Sequence, residues 1–445
     1  MTEAEIARGR VSHRAASPRP SRLVVSPRQL NRATLGRQML LRRESLDAAA
    51  AVRRVCALQA QHPASPYLAL WNRIGGFDPA DLDAAYARRE VVRATLMRVT
   101  LQTVRAEDYP EFHQAMVGML RHSRLFDPRF TSSGLSIAEA DALLPAVAEF
   151  TARPRTVGEI EELLSTLLGE RKKGVWWALR TFAALHRAPA DGPWSFDDPP
   201  SFVAAGPKPG GGDAPVDAVG RLLRSYLRAF GPASARDFAQ FTMLRRPTIA
   251  EAVRAAVLAG EITELAGPDR EPLIDVAGAV LPAEDSVAPP RLLPMWDSVL
   301  LAYFDRSRII PAEYRPLVIR RNGDVLPVIL VDGYVAGVWR PAEGRIEITT
   351  FRRLSEEEWK GVQEESDLLT RFLAGREPDV YRRYAHWWAK GMPSTEIRLL
   401  LPSIISAEQS CRAGMRSRAG VRNAHARPWT YRSHTLMRSR RSLPG

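Results

Sequence analysis

Two glutamines separated by one small residue, Gln59-Ala60-Gln61, are the side chains whose type and spacing best suit a chemical role. They follow an apolar segment that begins near Leu46 with helical periodicity, and Pro63 comes soon after them. If the chain has left the helix by Gln59, residues two apart point to one side, so both carboxamides face the same space and can hold a water. Two solvated glutamines at a frayed helix end are the alternative interpretation.

Three further stretches of the sequence carry groups that could take part in chemistry. His62 is adjacent to the amides and could act as a base, although a histidine before proline is also a common capping or packing residue. Asp297 follows Trp296, and Asp305-Arg306-Ser307-Arg308 combines acid and base in one short segment. That segment is either a solvated ion pair or part of a surface that contacts an anionic partner.

Several enzyme classes are excluded because their motifs are absent from the sequence. It has no His-x-Glu with Pro-Cys-x-x-Cys, no His-Glu-x-x-His, no Walker loop and no Gly-x-Ser-x-Gly elbow. The glycine run at 210–212 does not end in Gly-Lys-Ser/Thr, which favours a linker over a nucleotide site. Cys56 and Cys411 lie far apart and do not suggest a disulfide framework. We therefore expect neither a cofactor nor a metal.

The formal charge of +13 is concentrated at the two ends of the chain. Residues 1–29 carry a net charge of +4 and residues 389–445 carry +9, which leaves the body between them neutral. Basic ends of this kind favour attraction to phosphate that is sensitive to salt and independent of sequence. The amino terminus lacks the apolar core of a signal peptide, and no apolar stretch is long enough to cross a bilayer. We expect a cytoplasmic, nucleoid-associated protein without a membrane partner.

The 445 residues and their periodicity predict several units, mostly α with β. Helices from Pro27, with Ser26 as N-cap, from Ser45 and from Asp78, followed by strands over 91–104, have the order of a winged helix, and this order returns twice. In the second copy Thr156 and Glu159 predict a capping box, and Gly192-Pro193-Trp194 predicts a turn. Further on, Asp332-Gly333 predicts a tight hairpin, and Ser355 with Glu358 predicts the cap of the closing helix. The predicted divisions are a disordered basic arm at 1–25, winged-helix units at 26–125, 126–206 and 216–290 with a linker at 207–215, a β-meander with a closing helix at 291–388, and a disordered basic tail at 389–445.

Two blocks of this sequence resemble the AlkZ-like winged-helix DNA glycosylases of bacteria. The similarity runs in order from about Ser26 to Leu373. The first block comprises Leu30-Asn31-Arg32-Ala33, Leu58-Gln59-Ala60-Gln61-His62-Pro63, Pro66-Tyr67, Leu70-Trp71 and Val92 to Arg98, and the second comprises Leu292-Leu293-Pro294, Asp305 to Arg308, Val325-Leu326-Pro327, Val331-Asp332-Gly333, Gly337 and Trp339. One departure is Thr100-Leu101-Gln102, where family members commonly have Thr-Leu-His.

The resemblance implies that Gln59 and Gln61 carry catalysis. His62, Gln102 and Asp297 are then further site candidates, although Gln102 puts in doubt the role that the family gives to histidine. The arginines expected to contact DNA are Arg98, Arg306, Arg308 and Arg340.

The resemblance also implies a partner, alkylated double-stranded DNA, and we expect the protein to act as a monomer. A purine alkylated at N7 is already a good leaving group, so neutral amides that orient a water suffice. The predicted function is that of a monofunctional glycosylase for N7-alkylated purines, able to unhook interstrand crosslinks if the base is reached without entering a tight pocket, in repair or self-resistance. A non-catalytic DNA-binding protein, either a regulator or a sequestering resistance factor, is the alternative.

Overall fold

The computed structural model describes residues 23–196, 198–206 and 216–401. The predicted linker at 207–215, residues 1–22 of the predicted arm and residues 402–445 of the predicted tail lie outside the described residues. The described residues combine helices with four small sheets, in agreement with the mixed α and β class predicted from the sequence.

The segment from residue 23 to residue 125 contains five helices and one three-stranded sheet with the order β1-β3-β2. Its elements are α1 Pro27–Arg37, α2 Ala48–Arg54, β1 Leu58–Gln59, α3 Ala64–Trp71, α4 Pro79–Ala87, β2 Val91–Thr95, β3 Leu101–Arg105 and α5 Tyr109–Leu125. Helix α1 begins as predicted, because Ser26 and Gln29 form a capping box around Pro27. Helix α2 is shorter than predicted: Asp47 caps it and it ends at Arg54.

Helix α3 was not predicted from the sequence. All eight of its residues are buried, so the helix lacks the polar face that gives an amphipathic helix its 3.6-residue period. Pro63 immediately precedes this helix and occupies its cap position. The proline therefore marks the start of α3, and it does not end α2, whose last residue is Arg54.

The segment from 126 to 206 again contains helices and a three-stranded sheet, with the order β4-β6-β5. Its elements are α6 Pro128–Thr131, α7 Ile137–Phe150, β4 Arg155–Thr156, α8 Val157–Leu168, α9 Val175–Phe182, β5 Leu185–Arg187 and β6 Ser201–Ala204. The predicted capping box at Thr156 and Glu159 is present at the start of α8. Trp194, predicted in a turn, lies in the loop between β5 and β6 and is buried.

The segment from 216 to 290 has three helices and a hairpin, in the predicted order. Its elements are α10 Val216–Phe230, α11 Ala235–Thr242, α12 Arg246–Leu258, β7 Ile262–Ala266 and β8 Pro272–Val276. Val24 forms a parallel bridge to Ala266, and the Val25 amide donates to the Ala266 carbonyl at 2.8 Å. The prediction of a disordered arm is therefore wrong for residues 23–25, because Val25 is buried against this hairpin.

The segment from 291 to 401 is built on a five-stranded antiparallel sheet with the order β13-β12-β11-β10-β9. Its elements are β9 Arg291–Leu293, α13 Arg315–Val318, β10 Val328–Val331, β11 Tyr334–Ala342, β12 Arg345–Thr350, α14 Glu356–Ala374, α15 His386–Ala389 and β13 Glu396–Leu400. The predicted meander and closing helix are confirmed. The predicted Asp332-Gly333 turn has positive φ at both residues, 49° and 82°, as a tight hairpin requires.

The boundary predicted for the disordered tail is wrong. Residues 389–401 are described, and β13 pairs along β12 from Ile346 opposite Leu400 to Thr350 opposite Glu396. The basic composition of residues 389–445 as a whole concealed this strand, because little of it is buried. In β13 the last residue, Leu400, is the buried one.

Two large hydrophobic cores meet at β1. One core combines α2, α3 and α4 with the five-stranded sheet and includes Leu58. The other combines α5, α9 and α10 with residues of the β2–β3 hairpin and includes Ala57. The backbone that leads into the two glutamines is therefore held from both sides.

Candidate active site

Gln59 lies in an extended backbone that pairs with a neighbouring strand, so the condition on which the sequence argument depended is met. After α2 the chain turns through Cys56, which has a φ of 67°, and enters β1. Gln59 stands directly opposite Gln102 of β3, and the next amide, that of Ala60, donates to the Leu101 carbonyl at 2.7 Å. The extended geometry therefore comes from sheet pairing, and it does not mark the frayed end of a helix.

Two side chains from distant parts of the sequence hold this backbone in place. The Ser298 hydroxyl accepts from the backbone N–H of Gln59 at 3.2 Å and donates to the Ala57 carbonyl at 2.9 Å. Arg93 on β2 donates through Nε and Nη2 to the Ala60 carbonyl, at 3.0 and 2.7 Å. A backbone fixed at consecutive residues is what a preorganised site requires.

The side chain of Gln59 is almost fully buried, with 5% of its surface exposed. Its Oε1 accepts a hydrogen bond from Nη2 of Arg98 at 2.6 Å. Arg98 lies in the turn between β2 and β3 with a φ of 57°, and its Nη1 donates to the Phe241 carbonyl of α11 at 3.3 Å. One guanidinium thus connects the first glutamine to the segment that follows residue 216.

Gln61 differs from Gln59 in exposure but is anchored on the same hairpin. Its side chain is exposed, and its Oε1 accepts from the Leu101 amide at 3.4 Å. The oxygens of both carboxamides are therefore held by residues 98–101, the end of the β2–β3 hairpin. The two amides therefore share an anchor, and their convergence on one water stays a prediction.

His62 is neutral at physiological pH. Burial lowers its pKa to about 3, with smaller contributions from Arg383 and Arg93. Its Nδ1 accepts from the Ala64 amide at 3.2 Å, at the start of α3, and its ring meets that of Tyr381 edge-on at 4.9 Å. These contacts are those of the capping and packing residue that the sequence offered as the alternative to a base.

Gln102 is fully buried across the sheet from Gln59. Its Nε2 donates to the Thr100 hydroxyl at 2.7 Å, and that hydroxyl donates to the Met97 carbonyl at 2.9 Å. Its Oε1 is one of the buried polar atoms in the described part of the chain that have no partner. By way of Thr100, Gln102 therefore supports the turn that contains Arg98.

Asp297 is committed to a buried ion pair. Its two oxygens accept from Nη1 and Nη2 of Arg73, each at 2.8 Å, and neither side chain is exposed. Oδ1 also accepts from the Val299 amide at 3.1 Å, which fixes the turn containing Ser298. The Asp297 carboxylate therefore does not face solvent.

Comparison with known proteins places this chain in a family. Residues 52–372 match the profile of the family described as "DNA glycosylase AlkZ-like". The chain belongs to the AlkZ-like DNA glycosylase family. The prediction from the sequence that it is an N-glycosylase is thereby confirmed.

Two similar proteins come from Streptomyces sahachiroi. An interstrand DNA cross-link repair glycosylase of that organism is 25% identical over 354 residues, which cover 75% of this chain and 93% of that protein. The solved structure of the DNA glycosylase AlkZ superposes with a TM-score of 0.67 at 22% identity, covering 80% of this chain and 98% of that chain. The second comparison shows a common fold of mixed α and β elements.

The four arginines predicted to contact DNA have different environments in this AlkZ-like chain. Arg98 contacts Gln59, and Arg308 is 9% exposed and donates to the Pro232 carbonyl at 2.9 Å. Arg340 forms a two-point pair with Glu347 at 2.8 and 2.7 Å. Three of the four are therefore already engaged within the protein.

Arg306 is the exception among these arginines. Its Nε is one of the buried polar atoms without a partner among the residues that the structure describes. Burial lowers its pKa, as does Arg315, and its charge in turn lowers the pKa of Arg98. Arg306 thus lies close enough to Arg98 to affect it electrostatically and has hydrogen-bonding capacity to spare.

The sequence interpretation missed Ser298 and Arg93. Arg93 lies within the first block that resembles the family, and Ser298 lies between two motifs of the second block. Neither residue has a type or spacing that indicates its role. Ser298 is 239 residues from Gln59, so only the fold brings the two together. In the described part of the chain we find no cluster of three metal-ligating side chains. No helix there is long and apolar enough to span a membrane.

Proposed function

We propose that this chain hydrolyses the N-glycosidic bond of N7-alkylated purines in duplex DNA, with Gln59 and Gln61 orienting the water. The observation that supports this most is the common anchor: both carboxamide oxygens are held by residues 98–101. The backbone between the amides is fixed as well, at the Gln59 amide and the Ala60 carbonyl. Such an arrangement sets the direction of two uncharged polar groups before substrate binds.

Uncharged groups suit a leaving group that is already cationic. When a purine carries an alkyl group at N7, the C1′–N9 bond can break with its electron pair going to the ring, which becomes neutral. The sugar then has oxocarbenium character, water adds at C1′, and a proton is released to solvent. No general acid is needed, so the work left to the protein is orientation.

The titratable side chains beside the amides fit this interpretation. His62 is a poor base, since its pKa is about 3 and its Nδ1 is already an acceptor for a backbone amide. The Asp297 carboxylate is covered by Arg73. Neither group reaches solvent in a state suited to activating water near neutral pH.

For DNA binding, we propose that the segments 26–125, 126–206 and 216–290 act as three winged-helix units around the duplex. Arg306, whose charge lowers the pKa of Arg98 and which therefore lies near that residue, contacts phosphate. The similarity to a cross-link repair glycosylase extends the proposed substrates to interstrand crosslinks and the proposed role to repair or self-resistance. The protein acts on DNA as a monomer.

The test is single-turnover base release from duplex DNA carrying N7-methylguanine, with unmodified duplex as the control. We expect free N7-methylguanine and an abasic site with no strand cleavage by the protein itself. A second substrate with an N7-linked interstrand crosslink tests unhooking. DNA binding without base release from either duplex at saturating protein would instead identify the chain as a non-catalytic DNA-binding member of its family.

A further inference from the structure

Arg98 has contacts that differ from those of a residue that binds phosphate. It lies in the turn between β2 and β3 with a φ of 57°, and its Nη2 is 2.6 Å from Oε1 of Gln59. Its Nη1 donates to the Phe241 carbonyl at 3.3 Å, and its Cζ lies 5.3 Å from the centre of the Phe241 ring. The guanidinium is thus held by a ring, a backbone carbonyl and the carboxamide of Gln59.

The chemistry of the guanidinium group fixes the orientation of that carboxamide. Arginine carries only donors, so the Gln59 atom that it contacts must be the oxygen and the amide nitrogen must point elsewhere. Nε2 of Gln59 has no hydrogen-bond partner in the part of the chain that the structure describes. This atom is not fully buried, so it is open to solvent. Gln59 therefore presents an N–H donor to the site.

Gln61 is oriented in the same way. Its oxygen contacts the backbone amide of Leu101, which is also only a donor. Both glutamines thus direct their oxygens toward the β2–β3 hairpin and their amino groups away from it. The difference is that the donor to Gln59 is charged, and a charged donor on the carbonyl polarises the amide and strengthens its N–H as a donor.

We infer that Arg98 is a positioning residue that locks the Gln59 carboxamide with its N–H group toward the reacting centre. This inference rests on the proposed glycosylase function. The Gln59 N–H donates to one lone pair of the water oxygen, and the other lone pair of that oxygen is directed at C1′. Arg98 acts through Gln59 and does not contact phosphate, and its Phe241 contacts make the orientation depend on α11 being docked.

Electrostatics gives a reason for this arrangement. Burial and the charge of Arg306 lower the pKa of Arg98 only to about 10, so the guanidinium stays protonated at neutral pH. A bare cation beside an oxocarbenium would raise the barrier, because like charges repel. The Gln59 oxygen accepts a hydrogen bond from the guanidinium at 2.6 Å, and the Gln59 carboxamide then lies between the charge and the sugar.

The inference is tested with Arg98→Ala, Arg98→Lys, Gln59→Ala and the Arg98→Ala/Gln59→Ala double variant. For each, single-turnover release of N7-methylguanine, DNA affinity over a range of salt and thermal unfolding are measured. We expect Arg98→Ala to lower the rate about 10–100-fold at saturating protein, with affinity and its salt dependence unchanged. Arg98→Lys should recover part of the rate, and in the Gln59→Ala background Arg98→Ala should have little further effect.

Gln59→Glu is an independent test that keeps the contact with Arg98. The carboxylate can pair with the guanidinium but offers an acceptor where the glutamine offers a donor. We expect a loss of about 10²–10³ in rate for this nearly isosteric change. A Gln59→Glu protein as fast as the parent would overturn the donor assignment, and this result does not depend on whether Arg98→Ala folds.

Arg376→Ala is the matched control, at a residue outside the three proposed winged-helix units. Arg376 also donates to a backbone carbonyl, that of Pro193 at 2.8 Å, and its Cζ lies 5.8 Å from the centre of the Tyr67 ring. It also pairs with Asp83. It has no contact with the glutamines, so its removal should leave the rate at saturating protein unchanged, and thermal unfolding measures the accompanying loss of stability. An Arg98→Ala protein that binds DNA more weakly, with a smaller salt slope but the parent rate at saturation, would show a phosphate contact and overturn the inference.

Failure of the inference and failure of the proposed function give different results. If the proposed function is wrong, the parent protein itself releases no base. If only the inference is wrong, Gln59→Ala still slows the parent protein as expected. Arg98→Ala then either leaves the rate unchanged, or its fold-loss in rate multiplies with that of Gln59→Ala in the double variant.

Discussion

Arg73 and Asp297 form a two-point ion pair, 2.8 Å at each contact, in which neither side chain is exposed. Removing one member of such a pair leaves a buried charge without its partner, which typically costs about 3–5 kcal/mol. Asp297→Ala should therefore lower the free energy of unfolding by about that amount, measured by urea denaturation. Arg73→Met combined with Asp297→Leu should restore most of the loss, and a double variant as unstable as Asp297→Ala would contradict this account.

Both glutamines should contribute to the rate, whereas only Gln61 should contribute little to stability. Gln59→Ala and Gln61→Ala should each lower single-turnover release of N7-methylguanine by about 10²–10³, the usual effect of losing one oriented donor. Because both groups hold one water, the double variant should be little slower than the slower single variant. Thermal unfolding of Gln61→Ala should match that of the parent, since the side chain is exposed. Parent rates in both single variants would remove the catalytic assignment.

Gln102→His should introduce a dependence of the rate on pH. Gln102 is fully buried beside the turn that carries Arg98, so an imidazole there would have a pKa below its usual 6.5. As pH falls through that value, the imidazolium would add a positive charge near a cationic transition state and slow release. The measurement is the single-turnover rate from pH 5 to pH 8, corrected for spontaneous depurination. Profiles that superpose on the parent would place Gln102 outside the chemistry.

Two buried histidines should make the fold sensitive to mild acid. Burial lowers the pKa of His113 and of His186 to about 4. Above about pH 6.5 both are neutral in the folded and unfolded states, but as pH falls toward 4 only the unfolded state binds the protons. Each histidine should therefore cost about 1–2 kcal/mol of stability at pH 5.

The control for this prediction is His186→Phe, which keeps a ring against Tyr109, whose centroid is 4.4 Å away. Its free energy of unfolding should change less between pH 7 and pH 5 than that of the parent. Carboxylates with lowered pKa values, such as Asp83, titrate below this window and do not interfere. An unchanged slope in the variant would mean that His186 is not the titrating group.

The basic end of the chain should add DNA affinity without taking part in the reaction. Residues 402–445 contain nine arginines and one glutamate. Deleting them should weaken binding and flatten its salt dependence, with the single-turnover rate at saturation unchanged. A deletion from residue 389 serves as the contrast, because it also removes β13 and should lower the melting temperature. Loss of activity on deleting 402–445 alone would show that those residues belong to the site.

The sequence alone determined the features that depend on neighbouring residues. Ser26, Asp78, Thr156 and Ser355 cap their helices as predicted, because a cap is a contact between residues two or three apart. The Asp332-Gly333 turn was likewise predictable from local turn chemistry. The family resemblance identified Gln59 and Gln61, whose catalytic role remains a prediction.

Only the tertiary structure decided which partners the charged and amide side chains have. Arg98 reaches Gln59 across 39 residues and Phe241 across 143, and Asp297 meets Arg73 across 224. From the sequence, Arg98 was expected to contact DNA. Sequence alone cannot distinguish its possible partners, because an arginine near a site is equally suited to phosphate, carboxylate or amide oxygen. Burial and the positions of the competing acceptors determine which contact forms, and both arise only when the segments pack together.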